Sequence, residues 1–133
     1  MFLHNRFDRS ERLKGKANFA LFARARQYRG GLIRIACVKH TTAPGLGVLS
    51  APPDIKAAFV VSKKVAQRAV KRNKLKRRLR ELYKKHRNNL PQNVWLMIIA
   101  LPEAAKADFV SLEADLNALF KKIASDYAGH LQH

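Results

Sequence analysis

Basic side chains are concentrated in one short stretch of this sequence. Of its 27 Lys and Arg residues, thirteen lie within residues 63–87, where Glu81 is the only acid. Solvated helices usually mix charge signs, because opposite charges four residues apart stabilise a helix and like charges destabilise it. Lys and Arg bind phosphate oxygens through charge-assisted hydrogen bonds. The segment therefore predicts binding to the backbone of a nucleic acid, rather than a helix face that is merely solvated.

Helical spacing divides this basic segment into two halves. Arg68, Arg72 and Lys76 recur every four residues on one helix face, which continues through Leu79 and Tyr83. The apolar C-terminal half of that face is expected to dock on a sheet. The basic half cannot be buried without partners, because desolvating each charge costs several kcal/mol. We expect it to extend past the sheet, where its side chains and the positive end of the helix can bind phosphates.

Asn73 lies within the basic half and has two possible roles. Its amide carries both donors and acceptors. It could tie the helix to a neighbouring loop or bind a sugar hydroxyl of a nucleic acid.

The rest of the sequence lacks the patterns of a protein active site. It has no carboxylate pair at a useful spacing, no Cys/His cluster and no nucleophile motif, and its five histidines are scattered. The single cysteine, Cys37, lies among apolar residues and predicts a buried thiol rather than a nucleophile or a ligand. We therefore predict no catalytic residue and no metal ligand in the chain.

The composition is that of one globular domain with a polyanionic partner. The 133 residues are 47% hydrophobic and carry a formal net charge of +18, which suits a single domain over residues 1–133. The longest apolar run, residues 94–101, is far shorter than the roughly 20 residues that span a bilayer. The first residues lack the apolar core of a secretory signal. These features predict a cytoplasmic protein without a membrane partner.

Hydrophobic periodicity predicts an α+β two-layer sandwich around a central sheet. The strand–helix–strand order across residues 57–101 indicates a βαβ unit that contains the basic helix. The last helix places Phe109, Leu112, Leu116, Leu119, Phe120 and Ile123 at core spacing. The predicted elements are a helix over 17–27 that Gly30-Gly31 ends, a strand over 32–40, a short edge strand over 46–49, an inner strand over 57–62, the basic helix over 65–88, a central strand over 94–101 and a last helix over 108–127.

The order of residues in the basic segment resembles the bacterial ribonuclease P protein family. That family's signature is Arg-Asn-Arg followed by an apolar residue and Lys-Arg. Upstream, Arg12-Leu13, Phe19, Phe22 and Tyr28 are similar to the family's opening helix and the strand after it. With the strand and helix downstream, the likeness in layout covers nearly the whole chain, although only the central motif is specific. The residues that carry it are Val61-Ser62-Lys63-Lys64, then Ala69-Val70-Lys71-Arg72-Asn73-Lys74-Leu75-Lys76-Arg77, then Arg80-Glu81.

Several positions depart from the family pattern. Lys74 stands where a second Arg is usual, which keeps the charge but loses the bidentate fork of a guanidinium. Lys56 and Ala58 replace a common Arg and Gly, and the spacing before residue 69 is longer than in many members. Phe22 lies one residue nearer to Phe19 than the usual aromatic pair. These differences affect individual contacts more than the family assignment.

The resemblance implies a fold, a reaction and partners. The family fold is a sandwich like the second domain of ribosomal protein S5, with the basic helix in a left-handed βαβ crossover where general rules predict a right-handed one. The reaction removes the 5′ leader of precursor tRNA by hydrolysing one phosphodiester. Its catalytic centre and Mg²⁺ are held mainly by the RNA subunit. The implied partners are the ribonuclease P RNA and precursor tRNA, with no obligate protein partner.

Two RNA-binding surfaces follow from the resemblance. The basic helix is expected to contact the backbone of the RNA subunit. A cleft between the first helix and the sheet is expected to hold the single-stranded leader, with aromatic rings for stacking and lysines at its rim. Core packing is the alternative for the aromatic residues. The implied contacts to the RNA subunit are Arg68, Arg72, Asn73, Lys74, Lys76, Arg77 and Arg80, and those to the leader are Phe19, Phe22, Tyr28, Lys63 and Lys64.

Two other classes of protein share this composition. A ribosomal or other structured-RNA-binding protein without an enzymatic role would be equally basic, although it has no need of this ordered string. A DNA-binding module could place its basic helix in a major groove. Neither a dimerisation helix nor helix-turn-helix spacing supports that alternative.

Overall fold

The computed structural model describes residues 25–39, 55–91 and 94–131. Within these ranges, four strands form one sheet in the order β1-β2-β4-β3, and two α-helices cover one of its faces. This is the predicted α+β arrangement. The elements are β1 (Arg26–Arg29), β2 (Ile33–Lys39), β3 (Ile55–Val60), α1 (Ala69–His86), a 3₁₀ turn (Arg87–Asn89), β4 (Val94–Ala100), a second 3₁₀ segment (Pro102–Lys106) and α2 (Phe109–Leu131).

The basic helix α1 connects two neighbouring parallel strands. Ala57 of β3 lies opposite Leu96 of β4 in a parallel pair, and β4 pairs with β2 in the antiparallel direction. Parallel neighbours need a long crossover, and α1 provides it. The predicted βαβ unit and the central position of β4 are confirmed. Within the described residues β3 pairs with β4, and the prediction that it is an inner strand stays a prediction, because the edge strand predicted over 46–49 lies outside them. On the helix-covered side, Phe59 of β3 packs edge-on against Tyr83 at 5.7 Å between ring centroids.

The main core lies between the sheet and the two helices. Side chains of a strand alternate between its faces, and the helix-facing set of β2 and β4 is fully buried. The predicted core of the last helix is confirmed except at Phe109, which is 38% exposed because α2 makes its first buried contact at Leu112. The buried helix residues include Leu75, Leu79, Leu82 and Tyr83 of α1, and Leu112, Leu116, Leu119, Phe120 and Ile123 of α2.

Cys37 is a buried thiol, as predicted. Its side chain is 1% exposed, and its sulfur lies 3.5 Å from the hydroxyl of Tyr127 on α2. Burial raises the pKa of the Cys37 thiol to about 11. The thiol is therefore protonated at neutral pH and packs as a small apolar group.

Strand β1 occupies the end of the helix predicted over residues 17–27. Arg26–Arg29 pairs antiparallel with β2, so this part of the prediction is wrong and the Gly30-Gly31 pair turns a hairpin instead of ending a helix. A single buried residue, Tyr28, between exposed neighbours is too short a pattern to indicate a strand. The backbone hydrogen bonds of β1 are made with β2, which lies later in the chain. The remainder of that predicted helix and the edge strand predicted over 46–49 lie outside the described residues.

The hairpin turn is fixed to α2 by one carboxylate. Asp115 accepts backbone hydrogen bonds from Gly31 at 3.2 Å, Leu32 at 3.0 Å and Ile33 at 2.9 Å. Gly30 lies so close to this carboxylate that a Cβ atom there would overlap it. Asp115 thus holds the β1–β2 hairpin against the helix.

Replacing Gly30 with alanine is expected to lower the free energy of unfolding by about 1–3 kcal/mol, as overpacking of a tight site does. The new methyl group would displace the Asp115 carboxylate from three hydrogen bonds. Gly31→Ala is the matched control, because a Cβ at Gly31 meets no atom within 4 Å. Denaturant unfolding measures both variants. Equal losses would show that the Asp115 contact does not constrain this turn.

Candidate nucleic-acid interface

The segment between β3 and α1 is a turn rather than the first turn of the helix. The amides of Val65 and Ala66 both donate to the Ser62 carbonyl, at 3.1 and 3.3 Å. Val65 is buried, and α1 begins at Ala69, four residues later than predicted. Lys63 and Lys64 are exposed in this turn. They lie beside the N-terminus of α1, where their charges add to the positive end of the helix.

The N-terminal half of α1 lies outside the core, as the sequence analysis predicts. No side chain from residue 69 to residue 74 is buried, and Val70 is 78% exposed. The first buried side chain of the helix is Leu75. The first turn holds no acid, and the N-cap residue, Arg68, makes no side-chain capping bond. The positive helix end and the basic side chains around it therefore face solvent together.

The predicted RNA-contact residues divide into an exposed set and a half-buried set. Arg72 is half-buried because its guanidinium donates to the carbonyls of Ala66 at 3.0 Å and Gln67 at 2.6 Å. It thereby fixes the preceding turn to the helix, and the other N–H groups of its guanidinium remain for a ligand. Arg68, Asn73, Lys74 and Arg77 are exposed, whereas Arg72, Lys76 and Arg80 are half-buried.

Arg80 extends over the end strand of the described sheet. Its guanidinium carbon lies 5.9 Å from the centroid of the Phe59 ring on β3, which is within the range of a cation–π contact. Arg80 is therefore partly a packing residue. Of the seven predicted contacts, Arg72 and Arg80 have structural roles that the sequence analysis did not assign.

Two acids of the described chain pair with basic residues in the C-terminal part of α1. Glu113 of α2 contacts Lys85 at 2.7 Å and His86 at 2.8 Å, and these two hydrogen bonds lower the pKa of Glu113. Glu81 pairs with Lys84 at 3.1 Å. Both acids lie near the C-terminal end of α1, whereas residues 55–80 contain no acid at all. Within α1, the positive charge is therefore least compensated in the N-terminal half.

The face of the sheet opposite the helices, here called the second face, carries a smaller apolar cluster. Ala36 and Trp95 are buried there, with Ala58 and Met97 packed beside them. The ammonium of Lys56 lies 5.3 Å from the centroid of the Trp95 ring, and Trp95 as a whole is only 8% exposed. The sequence analysis did not assign Trp95 to a functional surface. The alternation of side chains along a strand could have indicated its position, because it places every second residue of β4, including Trp95, on this face.

Arg34 also belongs to the second face, because it alternates with the buried Ile33 and Ile35 along β2. Its guanidinium donates to the Gln27 amide oxygen at 2.6 Å. Arg34 and Lys56 therefore place positive charge on either side of the apolar cluster. This combination of apolar surface and cations suits a single-stranded nucleic acid.

The residues predicted to line a leader cleft are placed differently from one another. Tyr28 packs in the core on the helix-covered face, and its hydroxyl donates to Asp126 at 2.8 Å. Burial and this hydrogen bond raise the pKa of the Tyr28 phenol. The prediction of a stacking ring is corrected to core packing here, the alternative that the sequence left open. Phe19 and Phe22 lie outside the described residues.

Neither described α-helix is both long and apolar enough to cross a membrane. The structure defines a small α+β protein with an exposed cationic helix. The sequence pattern of the Ribonuclease P family matches residues 7–124. The chain belongs to that family.

Curated relatives of the chain are ribonuclease P protein components. The Thermus oshimai protein is 38% identical over 110 residues, which are 83% of this chain and 64% of that protein. The Streptomyces avermitilis protein is 37% identical over 113 residues, which are 84% of this chain and 90% of that protein. The chain spans about half to two thirds of the length of the Thermus relatives and most of the Streptomyces protein.

Solved structures of RNase P proteins share the fold of this chain. The RNase P protein from Thermotoga maritima superposes with a TM-score of 0.66 at 20% identity, over 81% of this chain and 92% of that one. The RNase P protein from Staphylococcus aureus gives a TM-score of 0.65 at 21% identity, over 93% of this chain and 94% of that one. These likenesses support the arrangement of strands and helices described above.

Proposed function

We propose that this chain is the protein subunit of a bacterial ribonuclease P and promotes removal of the 5′ leader from precursor tRNA. The observation that carries the proposal is the exposed N-terminal half of α1, which holds the family's signature residues and no acid. On this surface Arg68, Lys74 and Arg77 bind the backbone of the ribonuclease P RNA. The contacts are mainly to phosphates, because the side chains are long, exposed and cationic. The subunit acts as a single domain in the cytoplasm.

The chemical step is assigned to the RNA partner and its Mg²⁺. Mg²⁺ prefers carboxylate and water oxygens in octahedral geometry. Four acids on or next to α2 are already engaged as hydrogen-bond acceptors, and they point to separate elements of the fold. They do not fit a Mg²⁺ site, and we derive no catalytic step from them. These acids and their partners are Asp108 with Ser111, Glu113 with Lys85 and His86, Asp115 with the hairpin turn and Asp126 with Tyr28.

The leader is proposed to bind along the second face of the sheet. Met97 and Ala58, which are half-buried, form its apolar floor over the buried Trp95, with Lys56 and Arg34 beside them. Phe19 and Phe22 would supply stacking rings from the opening segment, with Lys63 and Lys64 as rim charges. This combination favours a single strand over a duplex, because unstacked bases can lie on the apolar surface.

Replacing Phe19 or Phe22 with alanine is expected to weaken binding of leader-bearing precursor tRNA by roughly 1–3 kcal/mol for each base that loses its stacking partner. Mature tRNA, which has no leader, should bind as before. Phe19 should have the larger effect, because the shifted position of Phe22 can turn it toward the core. Affinities of the reconstituted enzyme for the two RNAs measure the difference. Phe109→Ala is the matched control, since it removes an exposed ring of α2. Equal losses for both RNAs would place Phe19 and Phe22 in the core.

Binding affinities for different nucleic acids distinguish the proposed function from the two alternatives, a general structured-RNA-binding protein and a DNA-binding module. The chain should bind ribonuclease P RNA more tightly than a ribosomal RNA fragment of equal length, and more tightly than duplex DNA of equal charge, at the same salt concentration. Equal affinity for the two RNAs would favour a general structured-RNA-binding protein. Preference for the duplex would favour a DNA-binding module.

A further inference from the structure

A groove runs between the N-terminal half of α1 and the 3₁₀ segment Pro102–Lys106. It opens to solvent and has a cavity volume of about 170 Å³, which is below the roughly 300–1,000 Å³ of sites for drug-sized ligands. Its apolar lining comes from Ala66, Leu75, Ala104 and Ala105. Leu75 and Ala104 are buried beneath the groove, whereas Ala66 is half-buried and Ala105 is exposed, so these two alanines form its accessible apolar floor.

Three cations line the same groove. Lys71, Lys74 and Arg78 follow one another at helical spacing along α1. Lys71 and Arg78 are seven positions apart on the helix, a distance of about 10 Å along the axis. The lining contains no acid. The groove therefore combines an apolar floor with positive charge along one side.

This cationic row differs from the ladder of Arg68, Arg72 and Lys76. It lies on the side of α1 that faces the 3₁₀ segment, where Ala105 forms part of the lining. Arg78 is not among the contacts that the sequence analysis assigned to the RNA subunit. A polyanion that followed the ladder alone would leave the groove empty.

We propose that the groove binds one unpaired nucleotide of the RNA subunit, an inference that rests on the proposed function. The base lies on the apolar floor of Ala66 and Ala105, and the phosphates on either side of it contact the cationic row. A folded RNA presents such bases in its bulges and loops. A peptide partner is disfavoured, because a peptide has no regular negative charge to match three cations. A paired helix is disfavoured, because its bases are stacked inside and cannot reach an apolar floor.

Two variants of Ala105 test the groove, and two variants of Ala118 control them. Both alanines are exposed, and Ala118 lies on α2 outside the groove lining. Ala105→Leu fills the groove and keeps the cations, whereas Ala105→Glu adds a negative charge next to them. Ala118→Leu and Ala118→Glu make the same changes elsewhere, so the long-range effect of charge cancels in each comparison. Thermal unfolding establishes that all four variants fold.

Each Ala105 variant is expected to bind ribonuclease P RNA about fivefold more weakly than its Ala118 partner, equivalent to about 1 kcal/mol. The loss of affinity should lie at the lower end of the range for base stacking, because the floor of the groove is aliphatic rather than aromatic. Chemical probing of the bound RNA should show one unpaired base that the wild-type chain and the Ala118 variants protect. That protection should be lost with Ala105→Leu.

Equal affinities within each matched pair would overturn the groove assignment, as would loss of protection in the precursor tRNA leader instead of the RNA subunit. The proposed function would stand in both cases, provided that the wild-type chain still prefers ribonuclease P RNA. Loss of that preference in the wild-type chain would instead refute the proposed function itself. The two failures are therefore distinguishable.

Discussion

Replacing Leu79 with alanine is expected to lower the free energy of unfolding by about 2–5 kcal/mol, the range for large-to-small changes in a core. Leu79 is 0% exposed and belongs to the cluster between the sheet and the two helices. The truncation removes apolar contacts and leaves a cavity that the surrounding side chains can fill only in part. The melting temperature should fall by about 4 °C per kcal/mol for a chain of 133 residues. Denaturant and thermal unfolding measure the change.

Lys76→Ala is the control on the same helix, one turn earlier. Lys76 is half-buried in the basic half of α1, so its removal should change stability by less than about 0.5 kcal/mol while it weakens RNA binding. The two variants therefore separate the structural half of α1 from its RNA-binding half. Equal falls in melting temperature would contradict this division.

Affinity for the RNA subunit is expected to fall steeply with salt. The logarithm of the binding constant should decrease with the logarithm of salt concentration by about 0.7–0.9 for each phosphate contact. A surface that makes 6–10 contacts would lose roughly 10³–10⁵ in affinity between 50 and 200 mM salt. Arg77→Ala should weaken binding and flatten the slope by about one contact, because Arg77 is exposed on the basic half of α1.

Lys122→Ala is the matched control for Arg77→Ala. Lys122 is exposed on α2, and its removal lowers the net charge by the same amount. The slope for this variant should equal that of the wild type. If both variants flatten the slope equally, only the overall charge matters and α1 is not the specific RNA surface. Arg72 suits this test less well, because its guanidinium also holds the turn before α1.

The features that could be predicted from the sequence are those with a strong local pattern. The apolar stripe that includes Leu79 and Tyr83 predicted the docked half of α1, and the charge run predicted its exposed half. The apolar segment around Leu96 predicted a central strand. In each case the residues themselves hold enough periodicity to identify the element.

The features that the sequence missed depend on contacts between distant residues. Strand β1 is defined by its pairing with β2, not by its own four residues. Tyr28 looked like a cleft residue until its contact with Asp126, 98 positions away, placed it in the core. The Lys56–Trp95 contact joins two strands in the same way. Tertiary contacts of this kind override local propensity.

The groove beside α1 was also beyond reach of the sequence. Its cations were visible as part of the charge run, but its apolar floor combines Ala66 with Ala105 of the 3₁₀ segment. Small residues at the surface carry no pattern that marks a site. Only the position of the 3₁₀ segment beside α1 shows that Lys71, Lys74 and Arg78 face an apolar surface.

Cleavage of precursor tRNA by a reconstituted enzyme is the most direct test of the account. Ribonuclease P RNA would be incubated with leader-bearing precursor tRNA at low Mg²⁺, alone, with the wild-type chain, or with the Arg77→Ala variant. The wild-type chain should restore cleavage at the mature 5′ end, because its cations reduce the repulsion between the two RNAs that scarce Mg²⁺ leaves unscreened. The Arg77→Ala variant should restore less cleavage than the wild-type chain. No gain over the RNA alone, while the chain remains folded, would contradict the assignment of this protein as a ribonuclease P subunit.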